Sequence, residues 1–300
     1  MPSPFSLGYY NEIKTELINN EVLKKAKDYS KNRSDLTTYY NVGKLLSEAN
    51  NHYGEGVIKE YSIRLTKELG KGYNTTSLKR MRQFYHIIKK GATVWHQLSW
   101  SHYRILLVFD DVNIINYYST ISKTQNLSVR KLEEKIKNSE YERLDNVTKE
   151  KLISNTENNI EDFIKNPILI KNSYGYKEVS EKLLRQLILE DLDNFLTELG
   201  DGFTYIKNEY KIKLGDRYNY IDLLLYNIKY NCYVVVELKI TELKAEHIGQ
   251  ISKYINYIDK NIKRIDQDKT IGIIIVKKNN QFVMEYCSDN RVFAKVYNIV

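Results

Sequence analysis

Three charged residues stand where strand-forming sequence would normally supply apolar ones. Asp222 interrupts the run Tyr-Ile-Asp-Leu-Leu-Leu, and Glu237 and Lys239 close the run Tyr-Val-Val-Val-Glu-Leu-Lys-Ile. Side chains alternate across a strand, so Glu237 and Lys239 point to one face and Leu238 to the other. A hairpin centred near residue 229 makes the two runs antiparallel and sets position 222 opposite 236, close to Glu237. Two carboxylates a few ångströms apart in a partly dry site repel, and one takes up a proton unless a cation lies between them. Magnesium meets that need, because it binds one or two carboxylates together with water and substrate phosphate oxygens. Such a metal acidifies a bound water and neutralises charge at a phosphoryl transition state, while Lys239 orients the water or stabilises the charge that develops. The chemistry implied is phosphodiester hydrolysis. Taken singly, each residue reads as a solvated surface charge; together they interrupt central strands, where unpaired charge is expensive.

Gln250 and Tyr254 follow on a helix, four residues apart and therefore on one face, which also carries His247 and Ile251. Core packing favours an apolar residue at position 250. A glutamine there reaches the attacking water or a phosphate, and Tyr254 either contacts a nucleic-acid backbone or packs.

The elements that must position these residues begin at Tyr176. The stretch EVSEKLLRQLILEDLDNFLTELG reads as an amphipathic helix ended by Gly200, and strand-like runs follow at 203–213, 219–227 and 232–240. A second helix, AEHIGQISKYINYIDKNI, leads to the apolar strand TIGIIIVKK and to two short strands around 282–286 and 292–298. Hairpins at Gly215-Asp216 and at 227–231 make the first three strands antiparallel, and the helix lets the fourth return in parallel. The expected fold class is α+β: a mixed sheet in α-β-β-β-α-β order with a helix on each side. Residues 9–145 read as a mostly α-helical domain, 146–174 as an Asn-rich linker, and 175–300 as the domain carrying the site.

The 300 residues carry a net charge of +8, with 42% hydrophobic and 28% charged residues. No apolar run is long enough for a membrane span, and the amino terminus lacks a basic segment followed by an apolar core, so a cytoplasmic protein is expected. The single cysteines, Cys232 and Cys287, form no metal-type pair and suit a reducing compartment.

From Lys71 to Phe109 there is no Asp or Glu, while Lys79, Arg80, Arg82, Lys89, Lys90 and Arg104 all fall there. The sequence caps a helix over 76–90 with Thr75 or Thr76 and places Leu78, Met81, Phe84, Tyr85 and Ile88 on one side of it, opposite Lys79, Arg80 and Arg82. These cations suit contact with phosphates, and the helix would be the second of a helix-turn-helix with its turn at Gly70 to Asn74. Tyr73, Tyr85, Trp95, Trp100 and Tyr103 either stack on bases or form the core beneath. His96 and His102 have no third ligand near them and read as hydrogen-bonding residues.

On these residues the chain resembles PD-(D/E)xK nucleases: Asp222 matches the first acid, Glu237-Leu238-Lys239 the E-x-K, and Gln250-x-x-x-Tyr254 the Gln-Tyr motif of the RecB-like branch. Ile221 stands where the family name has proline. With SLKRMRQFY (77–85), LSWSHYRILL (98–107) and FLTELGDGFTYIKNEYKI (195–212), the chain from about 12 to 298 resembles the YhcG-like family of nucleases, which joins an α-helical domain to the nuclease domain. The resemblance implies a metal-dependent nuclease using Mg²⁺ or Mn²⁺ on nucleic acid, DNA foremost, in defence, recombination or repair. Asp222 and Glu237 would hold the metal, and Lys239 and Gln250 would serve catalysis. Such nucleases often add an acid from the first helix: Glu190, twelve residues before Gly202, is the expected one, with Glu181 the alternative. Domains of this kind that cut both strands often pair, which would make a homodimer. The rival reading is a nucleic-acid-binding or assembly protein that uses the fold as a platform and depends on a partner.

Overall fold

The computed structural model describes residues 4–25, 31–54, 56–94, 96–154, 156, 159–287 and 290–300. The chain divides into two compact units, Met1–Tyr141 and Glu142–Val300.

The first unit is helical: α1 (Pro4–Lys25), α2 (Lys31–Tyr53), α3 (Gly56–Leu69), a 3₁₀ turn at Lys71–Tyr73, α4 (Thr75–Lys89), α5 (Trp100–Leu106), α6 (Val112–Thr124) and α7 (Val129–Lys137). Gly43 lets α2 lie on α4, since a β-carbon there would fall on the Met81 carbonyl. The helix α4 is capped by Asn74, one residue before the expected threonines, whose side chain accepts from the Ser77 amide at 2.9 Å. Its buried face is Leu78, Met81, Phe84 and Ile87, so Ile87 takes the place expected of Ile88. The aromatics are mainly core. Trp100 packs on Tyr39 and Phe84, Tyr103 is buried against Phe84, and buried Tyr73 donates to Glu21. Trp95 lies outside the described residues.

The second unit contains α8 (Asn146–Ser154), β1 (Ile168–Ile170), α9 (Glu181–Glu190), α10 (Leu192–Leu199), β2 (Phe203–Leu214), β3 (Arg217–Asn227), β4 (Cys232–Glu242), α11 (Ala245–Asn261), β5 (Ile271–Lys278), α12 (Gln281–Cys287) and β6 (Val292–Ile299). Six strands form one mixed sheet in the order β1-β6-β5-β4-β3-β2. The pairs β2/β3 and β3/β4 are antiparallel, and β4/β5, β5/β6 and β1/β6 are parallel. A helical region followed by a mixed sheet is the α+β class read from the sequence.

Three elements differ from expectation. The segment read as a linker supplies α8 and the edge strand β1, whose Ile168 pairs with Tyr297; a three-residue run is too short to register as a strand in an Asn-rich stretch. The single helix expected before Gly200 breaks at Asp191, where φ is −128° and ψ 51°. The strand expected at 282–286 is the helix α12, because Asn280 caps it by accepting from the Val283 amide at 3.3 Å.

One face of the sheet packs Leu184, Leu187 and Ile188 of α9 and Phe195 of α10 on Leu223, Val236, Leu238 and Ile273. The other packs Ile248, Ile251, Ile255 and Ile258 of α11 on Ile221, Leu224, Val235 and Ile274. Buried Glu198 ties β1 down, accepting from the Leu169 amide at 2.9 Å and from Arg143 Nη2 at 2.9 Å. Among the described residues no helix is long and apolar enough to cross a membrane.

Gly272 sets the distance between β5 and α11: a β-carbon there would come within 2.7 Å of Ile251 Cδ1 and 2.8 Å of Ile255 Cδ1. Gly272→Ala is expected to cost about 1 to 3 kcal/mol through overpacking, measured as a lower urea midpoint. An unchanged midpoint would show that the two isoleucine side chains turn aside without cost.

Candidate active site

The site is built where β3 and β4 part. Their ladder runs from Asn227↔Cys232 to Leu223↔Val236 and stops. Extending that register sets Asp222 opposite Glu237, one residue beyond the expected 236. Ile221 and Leu224 pack in one core layer, Leu223 and Leu225 in the other, so the inward-outward alternation of β3 slips by one residue at Asp222. On the other neighbour, Asn208↔Leu223 and Tyr210↔Ile221 bracket Glu209, which has a φ of +46°. A non-glycine residue in that region within a strand is strained, and irregularities of this kind re-aim side chains beside functional sites.

The two carboxylates take over the hydrogen bonding that the ladder gives up. Asp222 Oδ2 accepts from the Leu238 amide at 2.9 Å, and the Asp222 amide donates to Glu237 Oε1 at 3.4 Å. Glu237 is only 2% exposed and lies on the α11 side of β4. Gln250 of α11 donates from Nε2 to Glu237 Oε2 at 3.2 Å and to the Tyr254 hydroxyl at 3.0 Å. Lys239 Nζ lies 3.5 Å from Glu237 Oε2 and 3.8 Å from Glu181 Oε2. Burial foremost, then the charge of Asp222, pushes the Glu237 carboxyl up to about 8 against the opposing pull of Lys239. Burial and the neighbouring acid thus favour the protonated form of Glu237.

Asp222, Glu237, Lys239 and Gln250 thus converge. Glu190 does not join them: it is exposed and accepts from Gln186 at 2.9 Å. Glu181 and Glu190 are the two ends of α9, nine positions or about two and a half turns apart. They therefore face opposite sides, and the acid that reaches Lys239 is Glu181. Tyr254 is buried, 4% exposed, and its hydroxyl accepts from Gln250.

Two participants escaped the sequence reading. Arg185 of α9 donates from Nη1 to Asp222 Oδ1 at 2.7 Å and from Nη2 to Glu209 Oε1 at 2.8 Å. Its one sequence signal is its place four residues after Glu181, on the same helix face.

Among the described residues no three His, Cys, Asp or Glu side chains form a ready metal cage. The Asp222–Glu237 pair nevertheless fits one divalent cation. It offers oxygen donors of the right type, and the Arg185 guanidinium beside Asp222 stands where a positive charge is called for.

In the first unit, Lys79 and Arg82 line a cleft of about 440 Å³ with Ser47, Asn50, Asn51, Gln83 and His86. Arg80 is half-buried on α4 and not part of that lining. Burial foremost, then the charges of Arg82, Lys89 and Lys90, holds the His86 imidazole below its usual range. His102 is a structural residue, bonded to Ser99 and to the Leu127 carbonyl.

Residues 161–299 match the YhcG PDDEXK nuclease domain, and residues 15–143 match the DUF1016 N-terminal domain. The chain thus joins a DUF1016 N-terminal domain to a YhcG PDDEXK nuclease domain. It is 24% identical to the protein named as nuclease YhcG of Escherichia coli (strain K12), over 87% of this chain and 82% of that one. Among solved structures it is similar to a repair endonuclease from Pyrococcus abyssi, with 20% identity, a TM-score of 0.30, and 40% of this chain and 47% of that chain covered. It is also similar to EndoMS in complex with dsDNA, with 18% identity, a TM-score of 0.29, and 43% and 48% covered. The chain spans about half the length of each of those two structures.

The raised Glu237 carboxyl has a thermodynamic consequence. Between pH 4.5 and about 8 the folded chain holds a proton there that the unfolded chain has released, so stability falls as pH rises across that window. In EDTA, urea unfolding is expected to show a loss on the order of a few kcal/mol over this range, and Glu237→Gln, which carries no titrating group, flattens the slope. A parent protein as stable at pH 8 as at pH 5 would refute the assignment.

Proposed function

We propose that the protein is a metal-dependent nuclease that hydrolyses phosphodiester bonds of nucleic acid, DNA foremost, with Mg²⁺ or Mn²⁺ as cofactor. The observation that carries this reading is the convergence of Asp222, Glu237, Lys239 and Gln250 at the point where β3 and β4 part. Asp222 and Glu237 would hold the metal, which supplies an acidified water and charge neutralisation at the phosphate when bound. The Gln250 amide, fixed by Tyr254, keeps Glu237 Oε2 oriented. The Lys239 ammonium, 12% exposed between Glu237 and Glu181, donates to the attacking water or to a phosphate oxygen that gains charge. Glu181 steadies Lys239 from α9; the sequence reading expected Glu190 as the metal-site acid from this helix, with Glu181 the alternative. Lys79, Arg80 and Arg82 on α4 bind the phosphate backbone, which makes the first unit the nucleic-acid-binding domain. The nuclease domain match supports the reaction class.

The decisive experiment incubates the purified protein with linear, circular, branched and single-stranded DNA in Mg²⁺, Mn²⁺ or EDTA. Glu237→Ala is expected to lose both cleavage and the thermal stabilisation that metal confers. Lys239→Met is expected to lower the cleavage rate about 10²-fold or more while keeping that stabilisation. Cleavage that survives EDTA or Glu237→Ala would sink the reading. DNA binding with no cleavage under any condition would favour the partner-dependent platform. In a separate salt titration, Lys79→Gln and Arg82→Gln are each expected to weaken oligonucleotide binding and reduce the slope of log K against log salt by about one. An unaltered slope would remove α4 from the interface.

A further inference from the structure

Arg185 holds the position of a cation at Asp222. Its guanidinium is 16% exposed and spans two acids from two strands, Asp222 at 2.7 Å and Glu209 at 2.8 Å. The chain accepts backbone strain at Glu209, φ +46°, to present the second of these acids. Glu209 has no role in the proposed chemistry and is 57% exposed, so packing gives no reason for the strain. Asp222 has Oδ2 committed to the Leu238 amide, and Oδ1, the oxygen left for a cation, is the one held by Arg185.

We infer that Arg185 is a resident competitor for the metal: the guanidinium and a divalent cation exclude each other at Asp222, and binding of the metal releases Arg185. Glu209 keeps the released arm tethered at the mouth of the site, where a guanidinium can pair bidentately with a phosphodiester. Metal and nucleic acid then reinforce each other, because the cation that displaces Arg185 frees the group that binds the substrate's backbone. Without metal, the arm covers the acids and their charge is compensated inside the protein. The inference rests on the proposed metal-dependent function and adds to it a positioning residue that couples cofactor to substrate.

The test is Mn²⁺ binding by the EDTA-stripped full-length protein, followed by titration calorimetry without nucleic acid, for the parent, Arg185→Met and Arg185→Lys. Thermal melts in EDTA verify that each variant is folded. Arg185→Met is expected to bind Mn²⁺ about tenfold more tightly, with Arg185→Lys in between, since a lysine offers one point charge where arginine offers a fork. Glu209→Gln is expected to leave a single-acid latch and raise Mn²⁺ affinity by a smaller factor. Mn²⁺ binding by the parent with equal or weaker binding by Arg185→Met overturns the competitor role and leaves the nuclease reading standing. No Mn²⁺ binding by the parent or by either Arg185 variant overturns the metal-dependent reading itself.

Discussion

Two carboxylates held out of water at the point where two central strands separate impose the main constraint on the second unit. Burying charge is costly unless each charged atom finds a partner. Asp222 and Glu237 find theirs by taking amides that a continued ladder would have used, and by drawing in Lys239 from β4 itself, Gln250 from α11 and Arg185 from α9. The apolar layers on both faces keep these elements in place. The layer beneath α11 fixes Gln250 and Tyr254, and the layer beneath α9 fixes Arg185 and Glu181. A slip of the helices would leave a buried acid without its partner, so packing and site geometry are held by the same contacts.

Much of this site can be read in the sequence because charge inside a Val/Ile/Leu strand breaks a strong pattern. Asp222, Glu237 and Lys239 stand out for that reason, and Gln250 stands out on an otherwise apolar helix face. The remainder escapes because it depends on backbone irregularity or on charged residues in places where charge is ordinary. Arg185 and Glu181 lie among other charged residues of an amphipathic helix, and only the break at Asp191 and the rotation of α9 decide that Glu181, and not Glu190, turns inward. Glu209 looks like an outward residue of a polar strand; its left-handed backbone is invisible in its identity. The one-residue error in register arises instead at the hairpin, whose closing pair Asn227↔Cys232 sets Leu223 opposite Val236 before the acid is reached. The strand expected at 282–286 shows the familiar ambiguity of short apolar runs, resolved toward helix by one asparagine cap.

The first unit offers a different lesson. Its long acid-free stretch holds both aromatics and cations, and composition alone lets either serve a polyanion. The structure separates them: Tyr73, Phe84 and Tyr103 fill the core while Lys79 is exposed and Arg82 lines a cleft. Helical periodicity sorts residues by polarity, so the aromatics stabilise the platform and the cations face outward.

The edge strand β1 governs the order in which the second unit can be completed. It precedes every other strand of the sheet in the chain, yet its one neighbour is β6, the strand made after all the rest, with Ile168 paired to Tyr297. During synthesis, β1 must therefore wait without a partner until more than a hundred further residues have left the ribosome, while the antiparallel hairpins β2/β3/β4 can form from local contacts. Its brevity suits that wait: three residues present too little open backbone to nucleate pairing with another chain. The last step in closing the sheet is thus a contact between its oldest and youngest strands, and a ribosome that stops early leaves the parallel edge of β5 without a cover.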